Sequence, residues 1–277
     1  MLDMKALKQQ ALEIRRLTIE EIGNFGSGHI GGSMSIVEVL TYLYYEAMRI
    51  DPKHPKKEDR DRFVCSKGHA GPAVYATLAS KGYFDVDLLK TLNSGGTNLP
   101  SHCDMNKTVG VDFTAGSLGQ GFSAAVGIAL GQKIKGQDAR TYAIIGDGES
   151  QEGQIWEAAH TASQWKLGNL IAFTDYNKQQ LDGYVSDISD MEYIETRWLG
   201  FNWHVQRING HDFAQIDRAV RRAQAVTDRP SMIIMDTIKS YGFIPGEGVT
   251  ANHSMAFDQK TARKAIADLY AREGATL

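Results

Sequence analysis

Residues 146–153 read Gly146-Asp147-Gly148-Glu149-Ser150-Gln151-Glu152-Gly153 and follow directly on the apolar run 141–145. A short apolar run of this kind reads as a buried strand. The carboxyl end of such a strand, where it turns into a helix, is the ligand-binding edge of an open α/β sheet. Gly146 and Gly148 lack a Cβ, so the backbone there can turn sharply and approach a ligand closely. Backbone N–H groups and the positive end of the following helix dipole then suit a phosphate. Asp147 is out of place in a plain phosphate cradle. A carboxylate beside a diphosphate is repulsive unless a divalent cation lies between them, so its presence points to bound Mg²⁺. About thirty positions later the next apolar run, 170–174, leads into Asp175-Tyr176-Asn177-Lys178-Gln179. Asn177 is therefore expected beside Asp147 at the same sheet edge. Mg²⁺ takes near-octahedral oxygen ligation, usually from one or two protein groups and substrate phosphates. Asp147, the Asn177 side-chain oxygen and the backbone carbonyl of Gln179 form the expected protein set.

Gly-Asp-Gly by itself is an ordinary turn composition. Paired with an asparagine at the end of the next strand, it resembles the thiamine diphosphate-binding motif. The longer run Gly146-Asp147-Gly148-Glu149-Ser150-Gln151-Glu152-Gly153-Gln154-Ile155-Trp156-Glu157-Ala158 is similar to transketolase rather than to a 2-oxoacid dehydrogenase or a decarboxylase. The resemblance extends from the first helix to about Phe257. It implies thiamine diphosphate and Mg²⁺ as cofactors, and transfer of a two-carbon ketol unit from a ketose phosphate to an aldose. It also implies cofactor contacts at Gly146, Asp147, Gly148, Glu149, Asn177 and Lys239. Gly116-Ser117-Leu118-Gly119-Gln120-Gly121 matches the family segment whose backbone meets the aminopyrimidine ring, which assigns Gly116, Ser117 and Leu118 to the cofactor. Glu152 would lie near a subunit interface.

Four of the eight histidines, His29, His69, His102 and His253, stand in or beside loops rich in Gly or Ser. A single loop histidine is ordinarily a solvated residue. As a set, Ser27-Gly28-His29, Ser66-Lys67-Gly68-His69 and Ser101-His102 resemble the segments that supply histidines to the transketolase active site. The resemblance implies that His69 and His253 hold the terminal phosphate, while His29 and His102 face the sugar hydroxyls and the carbinol oxygen. His29, His102 and His253 are thus the expected catalytic histidines, and a neutral imidazole suits such work near pH 7. Ile30 and Cys103 replace prolines common in the family, Ser254 replaces a glycine, and Lys239-Ser240 stands for a usual Lys-Gly or Ile-Gly. These departures bear on the sugar more than on the cofactor.

The elements that must position these residues alternate along the chain. Strand-like runs occupy 62–65, 141–145, 170–174, 203–208 and 232–238. Helix-like periodicity occupies 70–81, 118–135, 155–166, 213–226 and 259–272, with an opening helix through Leu7, Ala11, Ile14, Leu17 and Ile22 that stops near Gly26. Ser35-Ile36-Val37-Glu38 has capping-box spacing and predicts a helix starting at Ser35. The pattern is that of an α/β domain spanning residues 1–277: a doubly wound, mostly parallel sheet with helices on both faces. Residues 93–113 carry few helix or strand signals, and loops of that length are often functional.

The net charge is −3, with Lys and Arg scattered, and no apolar stretch is long enough to span a bilayer. These features exclude a nucleic-acid or membrane footprint and make a small-molecule partner and the cytoplasm the expectation. Cys65 and Cys103 match neither a zinc spacing nor a disulfide framework and read as reduced thiols. Gly119-Gln120-Gly121-Phe122-Ser123-Ala124, with Asp138 downstream, fits a dinucleotide fingerprint and offers an NAD-dependent dehydrogenase as the alternative. The residues before it, 111–115, make a poor buried strand. A deoxyxylulose-phosphate synthase is the nearest thiamine enzyme, but is ordinarily one longer chain. The family's ring-activating glutamate comes from a separate pyrimidine-binding domain, and this sequence ends after one α/β domain. A second subunit carrying the C-terminal transketolase domains is therefore expected, in a heterotetramer of two copies of each chain.

Overall fold

The computed structural model describes residues 3–275. First come helix α1 (Met4–Phe25), the two-residue strand β1 (Ser27–Gly28) and helices α2 (Ile30–Met34) and α3 (Val37–Tyr42). Strand β2 (Arg62–Cys65), α4 (Gly71–Lys81), α5 (Gln120–Ile134), β3 (Thr141–Gly146), α6 (Gly153–Gln164) and β4 (Leu170–Tyr176) follow. Then come α7 (Val185–Ile188), α8 (Ile194–Gly200), β5 (His204–Asn209), α9 (Phe213–Ala225), β6 (Ser231–Asp236), β7 (Met255–Ala256) and α10 (Gln259–Arg272).

Five of the strands form one sheet in the order β2-β3-β4-β6-β5, and every neighbouring pair in it is parallel. Side chains alternate between its faces, as the two-residue strand period requires. Phe63, Tyr142, Ile144, Ile171, Phe173, Ile233 and Met235 pack against α1, α3, α4, α9 and α10. Val64, Ala143, Ile145, Leu170, Ala172, Met232 and Ile234 pack against α5, α6 and α8. The central strand β4 is buried along its whole length. This is the expected doubly wound, helix-covered parallel sheet, and its strand runs read as continuous apolar segments because both faces are covered.

Local signals account for most boundaries. Asp3 caps α1 by accepting from the N–H groups of Lys5 and Ala6, and Gly26 ends it with φ +97°, a conformation that glycine adopts without penalty. The expected capping box at Ser35 does not form. The helix starts at Val37 without a side-chain cap; the Ser35 hydroxyl reaches Asp175 instead, and Glu38 turns to Arg15. Tertiary partners outcompete the local bonds. Helices α7 and α8 fall outside the expected set, each being too short to show a clear period. Among the described residues, no helix is long and apolar enough to cross a membrane. Cys65 and Cys103 are both free and buried. The neighbouring Cys103 and burial push the Cys65 thiol well up, which keeps it unreactive.

Two features off the sheet bring distant segments together. Strand β1 pairs antiparallel with β7, Ser27 opposite Ala256 and Gly28 opposite Met255, which draws the chain on either side of His29 and His253 together. The stretch 93–113 holds neither helix nor strand. It is fixed by Tyr75 Oη donating to Pro100 O at 2.8 Å and by Cys103 N–H donating to Gly68 O at 3.2 Å.

The approach at Gly68 is close enough to require glycine, since a Cβ there would lie 1.9 Å from Ala115 O. Gly68→Ala is expected to destabilise the protein by about 1–3 kcal/mol, the usual cost of forced overpacking. Exposed Gly127, in α5, has nothing within 4 Å of the position its Cβ would take. Gly127→Ala is expected to be neutral or to add about 0.4–1 kcal/mol by lowering unfolded-chain entropy. Urea unfolding of the two variants checks the contrast.

Candidate active site

The loops after β2, β3, β4 and β6 meet at the carboxyl edge of the sheet around a cleft of about 370 Å³. Its floor is a polar network centred on the two carboxyls of Asp147 and Asp175, both buried. Asp175 Oδ2 accepts from Lys67 Nζ at 2.5 Å, Ser35 Oγ at 2.7 Å and Asn177 Nδ2 at 2.8 Å, and Oδ1 accepts from Thr237 Oγ1 at 2.5 Å. Burial alone would raise this carboxyl, but the Lys67 ammonium and the hydrogen bonds hold it below the ordinary carboxylate range. Asp147 has weaker support. Its oxygens accept from the backbone N–H groups of Gly148 and Lys178. Burial, and then the charge on Asp175, push it up to about 7. Of two buried carboxyls, Asp175 thus carries the charge and Asp147 readily takes a proton.

Asn177 and Gln179 line the same cleft as Asp147. Asn177 points its N–H₂ at Asp175, so its oxygen is free to face the other way, where it accepts from Gln179 N–H at 3.1 Å. The side-chain oxygen of Gln179, buried and lining the cleft, has no hydrogen-bond partner. An orphaned buried acceptor is costly without a cation or water. The Asp147 carboxyl and the Asn177 amide oxygen are hard oxygen ligands of the kind a divalent cation takes, and Gln179, whose backbone carbonyl is the third expected ligand, lines the same cleft. Among the described residues, no group of three or more His, Cys, Asp or Glu side chains has metal-binding geometry.

The four loop histidines converge. The His29 ring lies 5.7 Å from His69, 5.2 Å from His102 and 5.3 Å from His253, and His69 lies 4.6 Å from His253, between centroids. Burial lowers all four, with the nearby charges of His102 on His29, Lys67 on His69 and Lys239 on His253 adding to it. His253 falls to about 4. The cluster is therefore neutral near pH 7 and offers donors and acceptors without stacking positive charge. Lys239, lowered to about 8 chiefly by burial, reaches the cleft from the loop after β6 and donates to Gln180 O at 3.1 Å.

Gly116, Leu118, Gly146 and Gly148 line the cleft, whereas Ser117 is exposed and outside its lining. Glu149 also lines it, but its oxygens are spent on the protein. They accept from the Ser66 hydroxyl, from Gly119 N–H at 2.8 Å and from Gly146 N–H at 3.0 Å, and so tie three loops together. Exposed Glu152 stands at the cleft mouth with no cap bond to α6. Ile30 and Cys103 are buried in the apolar core, so these two departures face away from the cleft. The sequence reading missed Lys67, Asp175, Ser35 and Thr237. The first two lay inside quoted motifs, but a lysine or aspartate in a loop gives no sign of the partner that will bury it.

A family model described as "Transketolase, thiamine diphosphate binding domain" matches residues 7–270. The chain is 55% identical over 269 residues to a protein of Clostridium sp. (strain MSTE9) named 6-deoxy-6-sulfo-D-fructose transketolase subunit, covering 97% of this chain and 98% of that one. It is 36% identical to a protein of Phocaeicola vulgatus named as one of the subunits of an apulose-4-phosphate transketolase, covering 91% and 89% of the two chains. Among solved structures, the transketolase of Campylobacter jejuni superposes with a TM-score of 0.91 at 29% identity, covering 99% of this chain but 43% of that one. The chain thus spans less than half of that solved transketolase and nearly all of the two relatives named as subunits. The fold agrees with these likenesses: the chain belongs to the transketolase family, as its N-terminal, thiamine diphosphate-binding subunit.

Proposed function

We propose that this chain, as one domain spanning residues 1–277, binds Mg²⁺-thiamine diphosphate and transfers a two-carbon ketol unit from a ketose to an aldose together with a separate C-terminal subunit. The observation that carries the reading is the cleft itself, lined by Asp147, Asn177 and Gln179, with four imidazoles clustered beside it. Bound there, thiamine diphosphate supplies the electron sink that lets a carbon–carbon bond beside a carbonyl break. Asp147, Asn177 and Gln179 hold the Mg²⁺. Lys239, His69 and His253 face the diphosphate, Gly146, Gly148 and Glu149 shape or brace its seat, and Gly116 and Leu118 lie toward the aminopyrimidine ring. His29 and His102, with His253, bind the sugar oxygens and exchange a proton with them, work that suits imidazoles held neutral.

The donor we put first is 6-deoxy-6-sulfo-D-fructose, the sugar in the name of the 55% identical relative. Ordinary ketose phosphates and branched sugar phosphates follow. Residues that grip the distal anion are assigned to the partner, and two copies of each chain form the assembly, in the cytoplasm. Free, buried cysteines suit that reducing compartment.

The decisive experiment titrates the purified chain with its partner chain and scores aldose release from a panel of sulfonated, phosphorylated and branched ketoses. Turnover is expected to be absent with the chain alone and to saturate near one to one. Turnover by the chain without its partner would overturn the reading.

Asp147 supplies a separate prediction. Its carboxyl is raised to about 7 in the folded protein from an ordinary 3.8, so the folded state holds the proton more tightly. The metal-free protein should accordingly lose stability as pH rises from about 4 to 7. Mg²⁺ must displace that proton, so Mg²⁺-dependent retention of thiamine diphosphate should weaken by up to about tenfold per pH unit below 7 and level off above it. Asp147→Ala should abolish the metal dependence and leave the fold intact. Calorimetry across pH with the assembled protein checks both; wild-type retention by Asp147→Ala would remove the metal assignment.

A further inference from the structure

Lys239 sits in the turn after β6, where Ser240 N–H donates to Gly31 O of α2 at 3.0 Å. Ser240 has φ +66° and Gly242 φ +94°, the left-handed region that costs a non-glycine residue energy. Both flanks of the turn are held from behind. Ile238 N–H donates to His211 Nε2 at 3.0 Å, and Tyr241 O accepts from Arg15 Nε at 3.0 Å. Glu38 joins the two holders by accepting from Arg15 Nη2 at 2.7 Å and from His211 Nδ1 at 3.0 Å. With Nδ1 bonded to the Glu38 carboxylate and Nε2 accepting a backbone N–H, both ring nitrogens of His211 are engaged. The Tyr241 ring stacks on His211 at 3.8 Å between centroids, and Arg15 lies 4.9 Å from the same ring. The contact under the turn is tight, since a Cβ on Gly242 would come within 2.6 Å of Arg15 Cδ. Arg15 and Glu38 are both buried, so this charged group was removed from water to be placed there. Residues from α1, α3 and the loop before α9 thus converge on the backbone on either side of one cleft lysine.

We propose that His211, Arg15 and Glu38 are positioning residues that clamp the turn at 238–242 so that the Lys239 ammonium is presented to the diphosphate of the cofactor. The inference rests on the reading of Lys239 as a diphosphate contact. None of the three clamp residues lines the cleft near the diphosphate seat; each acts through the backbone of the turn.

The test is a double-mutant cycle read by calorimetric titration of Mg²⁺-thiamine diphosphate into the full chain with its partner subunit. His211→Ala and Lys239→Ala are each expected to weaken binding about tenfold, the scale of one lost charge-assisted hydrogen bond. The double variant should be no weaker than Lys239→Ala, because both changes remove the same interaction. His211→Gln, whose amide oxygen can accept the Ile238 N–H, should recover most of the affinity. A cofactor-free readout accompanies the cycle: hydrogen exchange in a peptide spanning 236–243 should quicken in His211→Ala and not in Lys239→Ala. Should His211→Ala fail to fold, Arg15→Lys replaces it, keeping the charge beside Glu38 while losing the bond to Tyr241. Additive losses, or unchanged exchange in the turn, overturn the clamp while Lys239 keeps its role. Full affinity in Lys239→Ala overturns the cofactor role of Lys239 and the proposal with it.

Discussion

The carboxylate of Asp175, at the buried end of the central strand, accepts hydrogen bonds from Lys67, Ser35, Asn177 and Thr237. Those four donors come from the loop after β2, the turn before α3, the end of β4 itself and the loop after β6. A buried charge without partners is prohibitively costly, so the chain must bring all of these segments together to keep this one. The floor of the cleft is therefore fixed by a single desolvated anion. Deleting one donor would leave unpaired groups in a place where water cannot replace it.

The charge of Asp175 also governs its neighbour. Two buried carboxyls cannot both ionise without counter-charge, and Lys67 makes its direct ion pair with Asp175. Asp147 is left as a carboxyl raised to about 7 by burial and by the charge on Asp175. Beside it, the histidines gain polarity without net charge, because burial and nearby ammonium groups keep them unprotonated. The cleft thus combines a carboxyl raised by burial with imidazoles lowered by it.

A second buried ionic group, Arg15–Glu38–His211, lies behind the cleft and shares no residue with the first. The loop after β6 links the two, with Thr237 bonded to Asp175 and the neighbouring Ile238 N–H to His211. Each group uses a strong acceptor to gather strands of chain that the sheet by itself would leave loose at its edge. In a parallel sheet this edge consists of loops, and buried charges order them where backbone ladders cannot.

The sequence by itself determined the alternation of strands and helices, the parallel helix-covered sheet and the Gly-Asp-Gly turn with Asn177 one strand away. These features depend on short-range periodicity and on the steric needs of glycine, which a linear reading contains. It also singled out the four histidines, through the residues around them. Only the tertiary structure decided that Ser35 would serve Asp175 instead of capping a helix, and that Glu38 would face Arg15 and His211. It alone showed Glu149 spending its oxygens on loops, and Lys67 buried under the cleft. Each of these outcomes is a competition between a local bond and a distant partner. Desolvation settles it in favour of the partner, since a charge that must be buried takes the strongest donors the fold brings within reach, and sequence distance carries no information about which those are.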